Sequence, residues 1–520
     1  MNKRNISNYQ LLKKIALVHV YVYPVWLAVY LILHENNAYF GLIPLPVSLT
    51  TFFYYFLFVG VTSFCLKYFL KSKTKVFLFT TLLMFFLIFF GSMQDYIKEL
   101  PVTGFFKKYS FLLSFIIVVI IAVFIYLKRS KKEFQHLGKY IQLTIAILVI
   151  WELGYLAFNV FSGKINENIL FEKSQKKLLT PAITTANTPN IYFIVFDSFT
   201  SSSCLQEEFG YNNAELDSFL SKSGFYIVTK SKSNYPVTPY SIASTLNFSY
   251  LSDTLNNQLL TAKDILQGQA TVAQSRLIPY LQAKGYKIIN HSVFDFKDYP
   301  APNRVFFNEM PTKVLIQQTL FGRVNKDILW NFNRWKFSND SVNTERSIFL
   351  KEYVTDKMKG LKNAVAEKQP MPKFVYCHIM LPHEPYFFNK DGTLKSDSVT
   401  KHSHSLKMDY LNQLIYTRQL VKESIKVIMD KDTLNKIIVL EGDHGFRDFG
   451  VPGKTNRYFD NLNAIYFYDK NYSALHDSIT PVNTFRVILN QYFHEQLKYL
   501  PDTSIYIHDP GNDVGQIRKN

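Results

Sequence analysis

Three separated stretches of this chain hold oxygen and nitrogen ligands suited to the chemistry of a phosphate or sulfate ester. Asp197 directly follows the apolar run IYFIVF (191–196), and Asp443 and His444 follow IIVL across Glu441 and Gly442, with Gly445 placed to permit a tight turn. Ligands collect at the carboxyl ends of strands in open α/β sheets, which is where both groups fall. Seen alone, an Asp after a strand more often caps a helix or sits in a turn, and Asp–His–Gly is a weak signal. The third stretch is SNYPVTPYSIASTLN (233–247), in which Thr238 reads as a helix N-cap and Pro239 as the first helical residue. A capping threonine needs no catalytic role. A helix N-terminus, however, offers backbone N–H groups and partial positive charge to an incoming anion. A threonine hydroxyl there becomes a nucleophile if a metal lowers its pKa. Asp197, Thr238, Asp443 and His444 together supply three oxygens and one nitrogen, a set that fits zinc or manganese better than calcium.

Positioning these residues is the work of an α/β domain. The runs IYFIVF, YKIIN (286–290), KFVYCHIM (373–380), KIIVLEGD (436–443) and NAIYFYD (463–469) are short and rich in branched or aromatic residues. They lack clean alternation, as expected of strands buried on both faces of a mostly parallel central sheet. Helical stretches separate them: AELDSFLSKSG (214–224) ends at a glycine, and 409–430 has apolar residues at three- and four-residue spacing. The alternation predicts a doubly wound α/β domain. Residues 304–369 read as a partly helical insertion able to shape a substrate pocket. Three cysteines, Cys65, Cys204 and Cys377, make neither a disulfide framework nor a CxxC zinc site. A pairing of Cys204 with Cys377 is left open.

The first 160 or so of the 520 residues have a different character, dominated by Phe, Leu, Ile, Val and Tyr. Five runs are long enough, or nearly so, to cross a hydrocarbon core of ~30 Å as helices. They are roughly 15–33, 49–66, 76–90, 109–127 and 141–161, the third being the shortest. Lys3, Arg4, Lys13 and Lys14 precede the first run, and none of residues 34–50 is basic. Lys67, Lys71, Lys73 and Lys75 follow the second run, whereas 92–108 holds only Lys98, Lys107 and Lys108. The fourth connection is dense again, with Lys128, Arg129, Lys131, Lys132 and Lys139. The positive-inside rule therefore puts the N-terminus in the cytoplasm and everything after residue 162 outside it. The expected division is a transmembrane domain over 1–161, a linker over 162–188 and an extracytoplasmic catalytic domain over 189–520. Much of the net charge of +18 is accounted for by these loops, and the topology excludes a nucleic-acid partner.

PNIYFIVFDSF, PVTPYSIASTLN, HIMLPHEPY and LEGDHGFR, in this order and spacing, resemble the sulfatase-like branch of the alkaline phosphatase superfamily. That branch contains membrane-anchored lipoteichoic acid synthases and phosphoethanolamine transferases, which share the layout of about five membrane helices plus one extracytoplasmic domain. The resemblance implies that Asp197, Asp443 and His444 hold one divalent metal with Thr238, and that Thr238 is the nucleophile. It also places His383 against the substrate phospho-group or the leaving group. Arg447 is a candidate for binding an anionic substrate, or equally for a surface ion pair. His378, inside the preceding strand, is expected to be structural. Sulfatases instead mature a Cys or Ser within a Cys/Ser-x-Pro-x-Arg motif; here Thr238 takes the first place and Ile242 the last. Ser198 stands where sulfatases usually have a second acidic residue, and Asp197 where the two transferase groups usually have Glu.

The function these observations imply is phospho-group transfer, of the phosphoethanolamine or phosphoglycerol type, through a phospho-threonine. A membrane lipid would be the donor and a cell-envelope lipid or glycan the acceptor. Two alternatives stand beside it: a sulfatase-like hydrolase of phosphate or sulfate esters at the same site, and a membrane sensor built on a decayed enzyme domain. The second predicts lost ligands, yet all four candidate positions carry competent side chains.

Overall fold

The computed structural model describes residues 23–163, 169–170, 188–251, 259–302, 310–324, 339–395, 406–449 and 453–507. The chain divides into one unit of Met1–Asn168 with Asn308–Lys336, and a second of Ile169–Phe307 with Phe337–Asn520.

The first unit is helical: α1 (Val25–Ala38), α2 (Leu45–Phe69), α3 (Lys73–Glu99), α4 (Tyr109–Arg129) and α5 (Gln135–Phe161). The last four are long and apolar enough to cross a membrane. Of the first apolar run only the second half lies within the described residues, as α1, and most of the expected linker lies outside them. The third run, shortest in the sequence, belongs to a helix of 27 residues. The helix extends past its apolar stretch because the polar residues that follow have partners. Gln94 accepts a hydrogen bond from the Tyr109 hydroxyl at 3.0 Å, and Asp95 pairs with Arg323. Arg323 lies in Leu320–Val324, which belongs to this unit together with the helix Met310–Ile316. Close approach here requires a glycine: Gly91 N–H donates to Gln318 O at 2.8 Å, and a Cβ on Gly91 would meet Gln318 Oε1 at 2.6 Å. Within α5 the buried Glu152 is paired on both oxygens, with His34 Nδ1 at 2.9 Å and Asn37 Nδ2 at 2.7 Å. A charge among apolar helices persists only with such partners.

The second unit is built on six strands: β1 (Asn190–Phe196), β2 (Tyr226–Ile227), β3 (Lys287–His291), β4 (Lys373–Ile379), β5 (Lys436–Glu441) and β6 (Asn463–Phe467). Their order is β2-β6-β5-β1-β4-β3. The four strands β3, β4, β1 and β5 are parallel, and β6 and β2 join antiparallel at one edge. Every residue of β1, β4 and β5 is buried, which is why their sequences run apolar without alternation. The helices that matter to the site are α6 (Thr238–Asn247), α7 (Asn339–Ala366), α8 (Leu406–Lys431) and α9 (Pro481–Phe493). They cover both faces. Phe193 stacks on Tyr376 with ring centroids 5.0 Å apart and meets Phe485 of α9 edge-on at 5.5 Å. Lys357 of α7 lies on the opposite face, in the field of Cys377.

Polar groups at the amino ends of the strands lock the register. Asn190 Nδ2 and the Tyr192 hydroxyl both donate to Asp432, at 2.8 and 2.7 Å, while Asn190 Oδ1 accepts from Lys373 N at 2.9 Å. One asparagine thereby ties the starts of β1, β4 and the α8–β5 connection. A slip of one residue would strand these buried groups and exchange the side chains packed on the two buried faces.

Cys204 and Cys377 are separate buried thiols, and burial pushes the Cys377 thiol up to about 12. Lys357 is 2% exposed and donates to the Ser292 carbonyl. Burial lowers its ammonium from 10.5 to about 8, against smaller opposing effects of Cys377 and Asp356. Below pH 8 the folded chain therefore carries a buried charge, and above 10.5 neither state does, so this group adds stability as pH rises between the two values. Full-length protein in detergent should gain about 3 kcal/mol from this source over that interval. Lys357→Met should lose that gain, checked by thermal melts of both proteins at each pH.

Candidate functional site

The carboxyl ends of β1, β4 and β5 bring Asp197, His378, Asp443 and His444 together from positions up to 247 residues apart. All four are fully buried. Asp197 is the first residue beyond β1, and its N–H donates to Ile379 O at 2.9 Å, extending the β1–β4 ladder. Ser198 follows with φ 62°, in the left-handed region, which turns its N–H onto Asp443 Oδ1 at 2.9 Å. Its hydroxyl donates to Gly445 O at 3.1 Å. Asp443 is thus held on one oxygen, and Ser241 Oγ of α6 donates to its backbone carbonyl at 2.5 Å. Gly445 is required by close approach rather than by a left-handed turn. A Cβ there would stand 2.5 Å from Asp460 O and 2.8 Å from Arg457 O.

Thr238 is the first residue of α6 and Val237 is its cap, one position earlier than the Thr–Pro pair predicts. The threonine hydroxyl makes no capping bond. It lies 3.3 Å from Asp197 Oδ2 and 3.4 Å from His444 Nε2, and the residue is 5% exposed. His444 Nδ1 sits 2.7 Å from Gly445 O, an acceptor, so the network assigns the ring hydrogen to Nδ1 and the lone pair to Nε2. That lone pair is 3.7 Å from Asp197 Oδ1 and 3.6 Å from Asp443 Oδ2. Neither of these two buried oxygens has a hydrogen-bond partner among the described residues.

The electrostatics follow from burial. Desolvation alone would raise the Asp197 carboxyl, but the field of His383 and the hydrogen bond from His378 outweigh it and hold the group well below the usual carboxylate range. Burial lowers the His444 imidazole and keeps it neutral. Glu441, at the end of β5, is buried with both oxygens unpartnered. Burial, reinforced by the charge of Asp443, pushes its carboxyl far above the ordinary value. Burial therefore opposes a charge on Glu441, whereas Asp197 is held as a carboxylate.

His383 stands at the rim, half-buried, with its ring 6.2 Å from that of His444. Its Nδ1 lies 2.7 Å from Glu384 O, and Gln413 of α8 holds the loop by donating to His383 O at 2.9 Å. Arg447 donates to Pro236 O at 3.0 Å, one residue before the cap of α6, so it braces that loop. His378 is the residue that sequence reasoning set aside. Its Nε2 lies 3.2 Å from Asp197 Oδ2 and its Nδ1 3.0 Å from the Tyr376 hydroxyl. Two triads, Asp197–His383–His444 and Asp197–His378–Asp443, each place one ligand atom per residue within 4.8 Å of the others.

The donor set fits a divalent metal. Two partnerless carboxylate oxygens, an imidazole lone pair and a hydroxyl converge where no protein donor satisfies them, and three oxygens with one nitrogen suit zinc or manganese.

No protein-family model matches the chain, and no curated protein sequence matches it. Solved structures do align with it. The C-terminal periplasmic domain of EptC from Escherichia coli is 13% identical, with 63% of this chain and 87% of that one covered and a TM-score of 0.36. The corresponding domain of the phosphoethanolamine transferase EptC from Campylobacter jejuni is 13% identical, covering 64% and 98%, TM-score 0.35. The integral membrane lipooligosaccharide phosphoethanolamine transferase A from Neisseria meningitidis is 11% identical over 90% of this chain and 94% of that one, TM-score 0.34. The functional argument rests on the side chains around Asp197.

Ser198 offers a direct test of how the site is held. Ser198→Gly removes the left-handed strain and the hydroxyl but keeps the N–H on Asp443, so metal affinity should change less than threefold. Ser198→Val puts a β-branched residue at φ 62° and should cost about 1–2 kcal/mol of stability. Its metal affinity should fall at least tenfold as Asp443 loses its anchor, measured by chelator competition beside a thermal melt.

Proposed function

We propose that the chain is a membrane-anchored, metal-dependent phospho-group transferase with its catalytic unit outside the cytoplasm. The observation that carries this reading is Thr238: a hydroxyl at the amino end of a buried helix, turned away from capping and set between Asp197 Oδ2 and His444 Nε2. Neither a purely structural threonine nor a decayed site accounts for that placement beside two unpartnered carboxylate oxygens. The ordered resemblance of four sequence stretches to sulfatase-like transferases supports the same reading.

Asp197, Thr238, Asp443 and His444 would hold the cation. When bound, a divalent metal supplies a lowered pKa at the Thr238 hydroxyl and neutralises charge on the phosphoryl oxygens. The chain's own residues do the rest. Asp197 Oδ2, already 3.3 Å from Thr238 Oγ1, accepts the hydroxyl hydrogen bond and orients the oxygen. Thr238 Oγ1, its proton lost to solvent through that lowered pKa, attacks phosphorus in line; the O–P bond forms as the bond to the lipid alcohol breaks. His383, at the rim, gives a proton to the departing alkoxide. The amino end of α6 faces the negative charge gathered on the transferred group. An acceptor hydroxyl, giving its proton back to His383, then attacks the phospho-threonine, and the bond to Oγ1 breaks to restore the Thr238 oxygen. A phospholipid donor suits a catalytic unit tethered to a bilayer, with a cell-envelope lipid or glycan as acceptor.

Thr238→Ala should reduce turnover at least 10³-fold, in the range seen when a catalytic nucleophile is lost, with metal content by mass spectrometry nearly unchanged. Incubating the solubilised wild type with labelled phospholipid should release diacylglycerol and, without acceptor, leave label on Thr238 in tryptic peptides. Release of free phosphate or sulfate from soluble esters, with no lipid product, would sink the transferase reading in favour of a hydrolase.

A further inference from the structure

We infer that His378 is a positioning residue, clamped by Tyr376 so that it donates a hydrogen bond to Asp197 and is itself no metal ligand. The inference rests on the proposed metal site and concerns how that site is built.

The two triads that satisfy ligand geometry share Asp197 and differ in the rest, His383 and His444 in one, His378 and Asp443 in the other. Hydrogen-bond accounting decides between them. The Tyr376 hydroxyl is fully buried, and its only hydrogen bond among the described residues is with His378 Nδ1 at 3.0 Å. A buried phenol whose hydrogen found no acceptor would forfeit about 1–3 kcal/mol, so the hydroxyl donates and Nδ1 accepts. At the other end of the ring Asp197 is a carboxylate, which only accepts. Nε2, 3.2 Å from Asp197 Oδ2, must therefore carry the hydrogen. Both ends of the ring demand the same tautomer. An Nε2 that carries hydrogen has no lone pair for a metal, so the Asp197–His378–Asp443 triad takes no cation. The Tyr353 hydroxyl holds the His378 backbone carbonyl at 3.0 Å, and Phe294 packs beside the buried imidazole with ring centroids 6.1 Å apart.

The consequence falls on Asp197. With Oδ2 taken by His378 and Thr238, Oδ1 is left buried and unpartnered, 3.7 Å from His444 Nε2. His378 thus chooses which carboxylate oxygen faces the cation and which steadies the nucleophile. The tyrosine, two residues back on the same strand face, sets the choice.

The test uses full-length protein in detergent, with zinc affinity read by chelator competition and zinc content by mass spectrometry. Wild type should bind one zinc per site, and His378→Ala should bind it 10–100-fold more weakly, the usual effect of losing a group that orients a ligand. His378→Gln, whose amide nitrogen reaches where Nε2 stood, should recover most of the affinity. Tyr376→Phe should weaken binding less than His378→Ala. Nitrogen-15 histidine spectra should show His378 with hydrogen on Nε2 both without zinc and with it. Two zinc ions in wild type falling to one in His378→Ala, or a His378 Nε2 resonance shifted by direct zinc contact, would overturn the inference. So would full affinity in His378→Ala with an unchanged melting temperature. Wild type that binds no zinc at all would instead defeat the metal-dependent function proposed above, whatever His378 does.

Discussion

Asp197 Oδ1 and Asp443 Oδ2, oxygens that face His444 with no hydrogen-bond partner among the described residues, are the constraint around which the second unit is organised. Burying one bare charge is costly, and two of the same sign facing one imidazole nitrogen cost more. The chain limits the strain where it can. Burial opposes a charge on Glu441, and Ser198 N–H and His378 each take one oxygen of an aspartate. His444 is kept neutral, so it relieves none of the remaining negative charge. What the arrangement still lacks is a positive charge at the point where Oδ1, Oδ2, Nε2 and Oγ1 converge, and a divalent cation provides it.

That convergence depends on strand register at the far end of the sheet. Asn190 and Asp432 fix where β1 and β4 begin and where β5 is entered, roughly seven residues or ~23 Å before the chemistry. Because parallel strands leave their loops on one edge, a common starting line makes Asp197 and Asp443 end level, with His378 opposite Val195 two residues earlier. The antiparallel pair β6 and β2 then closes the other edge. Leu462 O receives Gly442 N–H at 2.8 Å, and Tyr458 O receives Gly445 N–H at 2.7 Å, pinning the Asp–His turn from the β6 side.

How much of this was legible beforehand varies with the range of the interaction. Asp197 and the Asp443–His444 pair were legible because strand ends are marked by the close of apolar runs, a local signal. Thr238 was legible as a helix start, but its cap was misplaced by one residue: Val237 is extended and caps without a side chain. His378 was hidden because an imidazole inside an apolar strand reads as core, and its partner Asp197 is 181 residues away. The spacing His-Ile-Met-Leu-Pro-His (378–383) was the one available hint. The length of α3 was underestimated because Gln94 and Asp95 looked like loop residues until Tyr109 and Arg323 supplied partners. The membership of 310–324 in the helical unit could not be read locally, since it is made by contacts across more than two hundred residues.

The departure from the sulfatase pattern at Ile242 is also built into packing. Ile242 lies one turn after Thr238 and is 0% exposed, in a helix whose ten residues are all buried. An arginine there would bring a guanidinium into the packed core, a cost of several kcal/mol unless it found a partner. The position is filled by a branched aliphatic side chain that belongs to the same core as Phe193 and Phe485. Thr238 is likewise no precursor of an aldehyde: sulfatases make theirs from Cys or Ser within the motif that this helix lacks. The alcohol nucleophile proposed above thus stands in a helix whose core packing, as much as its motif, departs from the sulfatase pattern.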